Sequence, residues 1–159
     1  MRVVSMTKAL CTAALLSLDT AAGCTSDSAA DAEILNAGLA GTVAGQNWTF
    51  AAGHTSAFLS EGEDDFFATL YPTAFTACGF SEPSGPHIIV SIPKTTGDFE
   101  MGLGRNMTFT DGSNNLVSLD GHIRVDSVTA TNVKGGLVAS YDSDNEVNGT
   151  FDVTICADE

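Results

Sequence analysis

Carboxylates crowd two short stretches of this sequence. Glu61, Glu63, Asp64 and Asp65 fall within "EGEDDFF", and Asp142, Asp144, Asn145 and Glu146 fall within "DSDNEVNG". Hard oxygen ligands at alternate positions can wrap a calcium ion, so Asp142, Asp144 and Glu146 are the candidates for a cation site. The fit to an EF-hand loop fails twice. Counted from Asp142, the sixth residue is Val147 where the turn needs glycine, and no glutamate stands at the twelfth. Asp and Asn favour tight turns with no ion present, and the expectation here is a turn without a metal.

Other chemistries find less. Two carboxylates do glycosidase work when a cleft holds them a fixed distance apart; Asp98 and Glu100 in "GDFEMG" share a strand parity, which reads as a solvated face. Ser84 lies near His87 in "SEPSGPH", yet no G-x-S-x-G elbow or neighbouring carboxylate marks a nucleophile and its base. His54, His87 and His122 lack H-x-x-x-H spacing and the cysteines lack a C-x-x-C pair, so no zinc site is expected and the histidines read as surface strand or loop residues. Sequons at Asn47, Asn106 and Asn148 are what chance gives a chain rich in Asn, Ser and Thr. No catalytic residue and no cofactor is assigned.

The cysteines say more. Cys11 lies in the apolar run "ALCTAALLSL", Ala9 to Leu18, behind Arg2 and Lys8 and ahead of the small residues "TAAGC". That is the layout of a signal peptide over 1–23. The run is about ten residues long, where a membrane-spanning helix needs roughly 20. "AAGC" ahead of a Ser/Asp/Ala tract resembles the lipobox of bacterial lipoproteins, although that family prefers leucine where this chain has Ala21, and Asp19 lies unusually near the cut. The resemblance implies that Cys24 is acylated, becomes the first residue of the mature chain and anchors it in a membrane. Thr25, in place of the aspartate that favours inner-membrane retention in that family, implies the outer membrane or cell surface. An ordinary signal peptidase could also cut behind Ala21, Ala22 and Gly23, leaving the protein secreted or periplasmic with Cys24 as a spare thiol.

With Cys24 taken by lipid, Cys78 and Cys156 remain as one pair, which an oxidising compartment lets bridge. Closing a loop of that length is worth about 4 kcal/mol from chain entropy.

Charge narrows the partners. Six Lys/Arg against 20 Asp/Glu give a formal net charge of -14. Nucleic-acid binding draws on clustered Lys/Arg, so no nucleic-acid partner is expected. The implied partners are a membrane, through the anchor, and an envelope protein.

The elements that hold these residues read almost entirely as strands. Residues 24–37, "CTSDSAADAEILNA", are small, polar and acidic, the composition of a flexible tether. From residue 38 to 159 the period is two. Trp48, Phe50 and Ala52 share a parity, as do Phe66, Ala68 and Leu70, then Ile88, Val90 and Ile92 before Pro93, and Met107 with Phe109 before the "DGSNN" turn. Val117 and Leu119 share parity with Ile123 and Val125 across "DG", as two paired strands or one strand with a bulge. At the end, "VKGGLVASY" puts Val133, Leu137, Ala139 and Tyr141 on one face, and "VNGTFDVTIC" puts Val147, Phe151, Val153 and Ile155 on one face, a hairpin with a solvated side. Cys156 is in phase with Thr150, Asp152 and Thr154, outward or just past the strand end.

The segments "GTVAGQNWTF", "GHIRVDSV" and "VNGTFDVTIC" resemble small secreted or lipid-anchored bacterial β-domains of uncharacterised function, over about Leu39 to Cys156. The fold expected is all-β, a mostly antiparallel meander forming a β-sandwich or flattened barrel behind the leader and tether. The function expected is a non-enzymatic, lipid-anchored envelope lipoprotein that binds a partner or serves a structural role. A lipocalin-like carrier with a small lipophilic ligand in its interior is the alternative, and a hydrolase stands behind both.

Overall fold

Alternating apolar and polar residues, punctuated by Gly, Asn and Asp, build eleven short strands in the computed structural model of the chain, which describes residues 28–55, 57–60, 63–79 and 81–157. They are β1 (Ala40–Val43), β2 (Gln46–Thr49), β3 (Ala52–Thr55), β4 (Asp65–Tyr71), β5 (His87–Pro93), β6 (Gly97–Glu100), β7 (Met107–Thr110), β8 (Asn115–Ser118), β9 (Asp120–Val128), β10 (Asn132–Asp142) and β11 (Asn145–Thr154). A single helical turn, α1 (Ala57–Ser60), and a 3-10 turn at Ala29–Asp31 complete the description. The leader, Cys24 and the carboxylate of Glu61 lie outside the described residues.

The strands form one curled sheet in the order β6-β9-β10-β11-β3-β4-β5-β7-β8, with β1 also on β11 and β2 on β1. The protein is all-β and mostly antiparallel, as expected. The far edge of β11 is shared: β1 pairs with its start, from Asn148 to Glu146, and β3 joins its end in parallel, with His54 opposite Thr154. Leu39, Leu70, Ile88, Ile92, Phe109, Ile123, Leu137 and Val153 fill the concave side, each essentially inaccessible to water. Full burial of an aliphatic or aromatic side chain is worth about 1.5–3 kcal/mol, so this cluster is what drives the sheet to curl.

Parity holds in most strands and breaks in three places. "WTFAAGHT" is two strands, since the chain leaves the ladder at Phe50 and Ala51 between β2 and β3. Across Leu119 the inward face switches: Ser118 is buried and Val117 and Leu119 are exposed, whereas Ile123 and Val125 are buried. β8 and β9 therefore follow one another across Leu119 with a one-residue offset and do not pair with each other: β8 pairs with β7, and β9 with β10 and β6. Ser118 sits at the offset and donates from Oγ to the Ser140 carbonyl at 2.6 Å. In β10 a register shift between Ser140 and Asp142 turns Tyr141 outward, 51% exposed, instead of inward with Leu137 and Ala139.

The outer side of the terminal hairpin is not fully solvated. Residues from Ser28 onward pack on it, where the sequence reads as tether. Ala29, Ile34 and Val138 form a small second cluster, and Asn148 holds the segment from both ends of its amide, accepting from Leu35 N at 2.8 Å and donating to the Glu33 carbonyl at 3.0 Å. Gly136 makes room for this docking: a Cβ there would stand 2.5 Å from Ile34 Cγ2.

Candidate functional site

Cys78 and Cys156 are joined by a disulfide, with Cα atoms 5.4 Å apart. Cys156 follows the end of β11 as parity predicts, and its backbone N–H donates to Thr55 Oγ1 at 3.3 Å. Cys78 lies in the loop between β4 and β5, with a left-handed backbone (φ 62°) that side chains other than glycine rarely adopt. The two sulfur-bearing residues differ in setting: Cys78 is exposed and Cys156 half-buried.

The surroundings of Cys156 are polar and ordered. His54 on β3 points Nδ1 at Cys156 Sγ, 3.7 Å away, and its side chain is only 12% exposed. Its Nε2 meets Glu82 Oε1 at 3.0 Å. The other oxygen of Glu82 accepts from the Tyr71 hydroxyl at 2.8 Å. Burial, then the hydrogen bond and charge of Glu82, push the Tyr71 phenol far above the usual tyrosine range, so it stays a donor. Phe75 packs edge-on against both His54 and Tyr71, and His87 stacks on the far side of Tyr71.

This group was invisible in the sequence. His54 reads there as a surface strand residue, and Glu82 and Tyr71 carry no motif; only the fold brings Tyr71, Glu82 and Cys156 to one imidazole. His87 is fixed through Nδ1 on the Gly85 carbonyl at 2.8 Å, and its ring stacks on Tyr71.

One carboxylate in each acidic stretch, Asp65 and Asp142, has a structural role. Asp142 Oδ1 accepts from Asp144 N at 3.0 Å and Asn145 Nδ2 at 2.8 Å, an Asx-type turn closing the β10–β11 hairpin. Glu146 is exposed on β11. Asp65 takes Arg105 in a two-pronged pair, 2.8 and 2.9 Å, and Lys94 Nζ binds the Ser60 and Glu63 carbonyls. This corner borders an open hollow of about 420 Å³ lined by Asp64, Asp65, Phe67 and Arg105 among others. Among the described residues no three His, Cys, Asp or Glu side chains converge as a metal site. Asp98 and Glu100 both lie exposed on β6, opposite Arg124 and His122 of β9.

Trp48 and Phe109 are 2% and 1% exposed within the core cluster, with Phe50 partly buried against it. Among the described residues no helix is long and apolar enough to cross a membrane. Compared with protein-family models, curated proteins and solved structures, the chain matches none of them.

Proposed function

We propose that the chain is a lipid-anchored envelope lipoprotein of bacterial type, with Cys24 as the acylated residue and the β-domain as a binding or structural module. The observation that carries this reading is the cysteine balance. With Cys78 bridged to Cys156, the only cysteine left in the chain to pair with Cys24 is Cys11, inside the apolar run that a signal peptidase removes. A thiol placed directly behind Ala21, Ala22 and Gly23 with no disulfide partner in the mature chain is what acylation consumes.

The docking of residues from Ser28 onward adds a geometric corollary. Four residue steps separate Cys24 from Ser28, and an extended chain covers at most about 3.5 Å per step. An anchor on Cys24 would therefore hold the domain within about 14 Å of the lipid surface, on a leash far shorter than the composition of residues 24–37 suggests. The test is incorporation of labelled fatty acid in cells expressing the wild type and Cys24→Ser. Label in the wild type that disappears in the variant, together with release of the variant from the membrane fraction, is the expected result. Equal labelling of both sinks the anchor.

A further inference from the structure

The two sulfurs of the disulfide stand in unequal surroundings, and the inequality has a chemical direction. An incoming thiolate attacks the sulfur it can reach, and exchange is fastest when the departing sulfur is stabilised as it leaves. Cys78 is exposed. Cys156 is half-buried and faces an imidazole 3.7 Å away. That imidazole is itself held by a carboxylate, Glu82, at 3.0 Å on its other nitrogen, and the carboxylate is held by the Tyr71 hydroxyl at 2.8 Å. A thiol beside a histidine oriented by a third group is the arrangement that activates cysteine nucleophiles and lowers thiol pKa values.

We propose that Cys78–Cys156 is a thiol–disulfide exchange site: Cys78 is the attacked sulfur, Cys156 the departing one, His54 the acid–base group that receives it, and Glu82 the residue that positions His54. The co-reactant is a thiol, small or protein-borne. The proton lost when the co-reactant thiol ionises is taken up by His54, which then carries N–H at both Nδ1 and Nε2, the latter on Glu82; the thiolate sulfur bonds to Cys78 Sγ as the Cys78–Cys156 bond breaks, and the electron pair goes to Cys156 Sγ, which stays a thiolate paired with the charged imidazole. A second thiolate attacks the external sulfur of the mixed disulfide, releasing the co-reactant as its own disulfide and leaving Cys78 as a thiolate that takes a solvent proton. Two thiols are oxidised and the protein disulfide is reduced to two thiols. Opening also frees Cys78 from its left-handed backbone, while the bridge's two attachment points, a loop and a residue past a strand end, leave the ladders intact. This goes beyond the envelope reading and does not depend on the fate of Cys24.

The experiment uses the purified, oxidised full chain and 2-mercaptoethanol as the probe thiol, with acid quenching and peptide mass spectrometry to assign each sulfur. The mixed disulfide is expected on Cys78, and the second-order rate of reduction is expected to fall about tenfold in His54→Gln. In the reduced protein, alkylation of Cys156 by iodoacetamide should proceed at pH values below the ordinary thiol range of about 8.5, and return to it in His54→Gln. The titratable groups around His54 are Glu82, Tyr71 and, through Tyr71, His87. Glu82→Gln, at a half-exposed position, should therefore shift the pH profile of the same alkylation, with thermal unfolding of the oxidised protein confirming that the variant folds; this variant carries the test if His54→Gln does not fold. A mixed disulfide on Cys156, or a reduction rate and alkylation profile the same in wild type and Glu82→Gln, overturns the proposal.

Discussion

Ser28 and Asp120 are ninety-two residues apart in sequence and 2.6 Å apart in space. The carboxylate also accepts from the Ala29 and Ala30 backbone N–H groups, each at 3.1 Å. One side chain at the start of β9 thus ties down the first described turn of the chain.

This tie has a pH dependence. The Ser28 hydrogen bond, with help from the Ala29 and Ala30 amides, holds the Asp120 carboxyl below the usual aspartate range against the opposing effect of burial. A depressed pKa means the contribution is complete above the unfolded value of about 3.9 and is lost as pH falls through the folded value. The amide resonances of Ala29 and Ala30 should hold steady from neutral pH to about pH 4 and move only below it. In Asp120→Asn that titration should vanish, with a cost near 1 kcal/mol in urea unfolding.

Gly136 decides whether the segment can lie on the sheet. Gly136→Val should push Ile34 off β10 and cost about 1–2 kcal/mol, read as faster hydrogen exchange at Leu35 and Asn148. Ile34→Ala in the same chain should recover part of that loss, a non-additivity expected of a direct contact and absent for distant sites.

The two faces of β10 predict opposite sensitivities. Leu137→Ala empties a site with no water access and should cost about 3 kcal/mol. Tyr141→Ala, four residues on, should change stability by no more than about 0.5 kcal/mol, because the register shift has already turned that ring to solvent. Chemical denaturation of the two variants settles the assignment, and equal losses would mean Tyr141 faces inward.

The disulfide spans 78 residues. Replacing both ends, Cys78→Ala with Cys156→Ala, should lower stability by up to about 4 kcal/mol through the unfolded state. The midpoint in urea should drop by the corresponding amount, while the circular dichroism of the strands stays that of the wild type.

The terminal hairpin was legible because alternation alone assigns Val133, Leu137, Val147, Phe151 and Val153 to one face, and burial follows from that face. Tyr141 escaped because a single-residue shift in register inverts every side chain beyond it, and no residue type marks such a shift. The face switch across Leu119 was half readable, since a bulge was one of two readings of "SLDGH". The docked segment hid behind its composition: Ser, Asp and Ala look like linker, and the signal that something lies on β10 was the pair Gly135–Gly136 inside a strand, where glycine marks a close approach. The His54 group could not be read at all. Its members come from β3, the end of β4, the following loop and the second residue past β11, and each is unremarkable beside its sequence neighbours.

The parallel meeting of His54 with Thr154 sets an order of assembly. Every strand that pairs with β11 other than β10 comes from the first 55 residues, so the sheet cannot be completed until the last strand arrives to bridge β1 and β3. Such distant closures are slow, and unpaired edges wait in the meantime. Cys156 lies just beyond that strand, so its bridge to Cys78 spans the same closure. The covalent bond is thus a latch across that closure, tying the end of the last strand to the loop that follows β4.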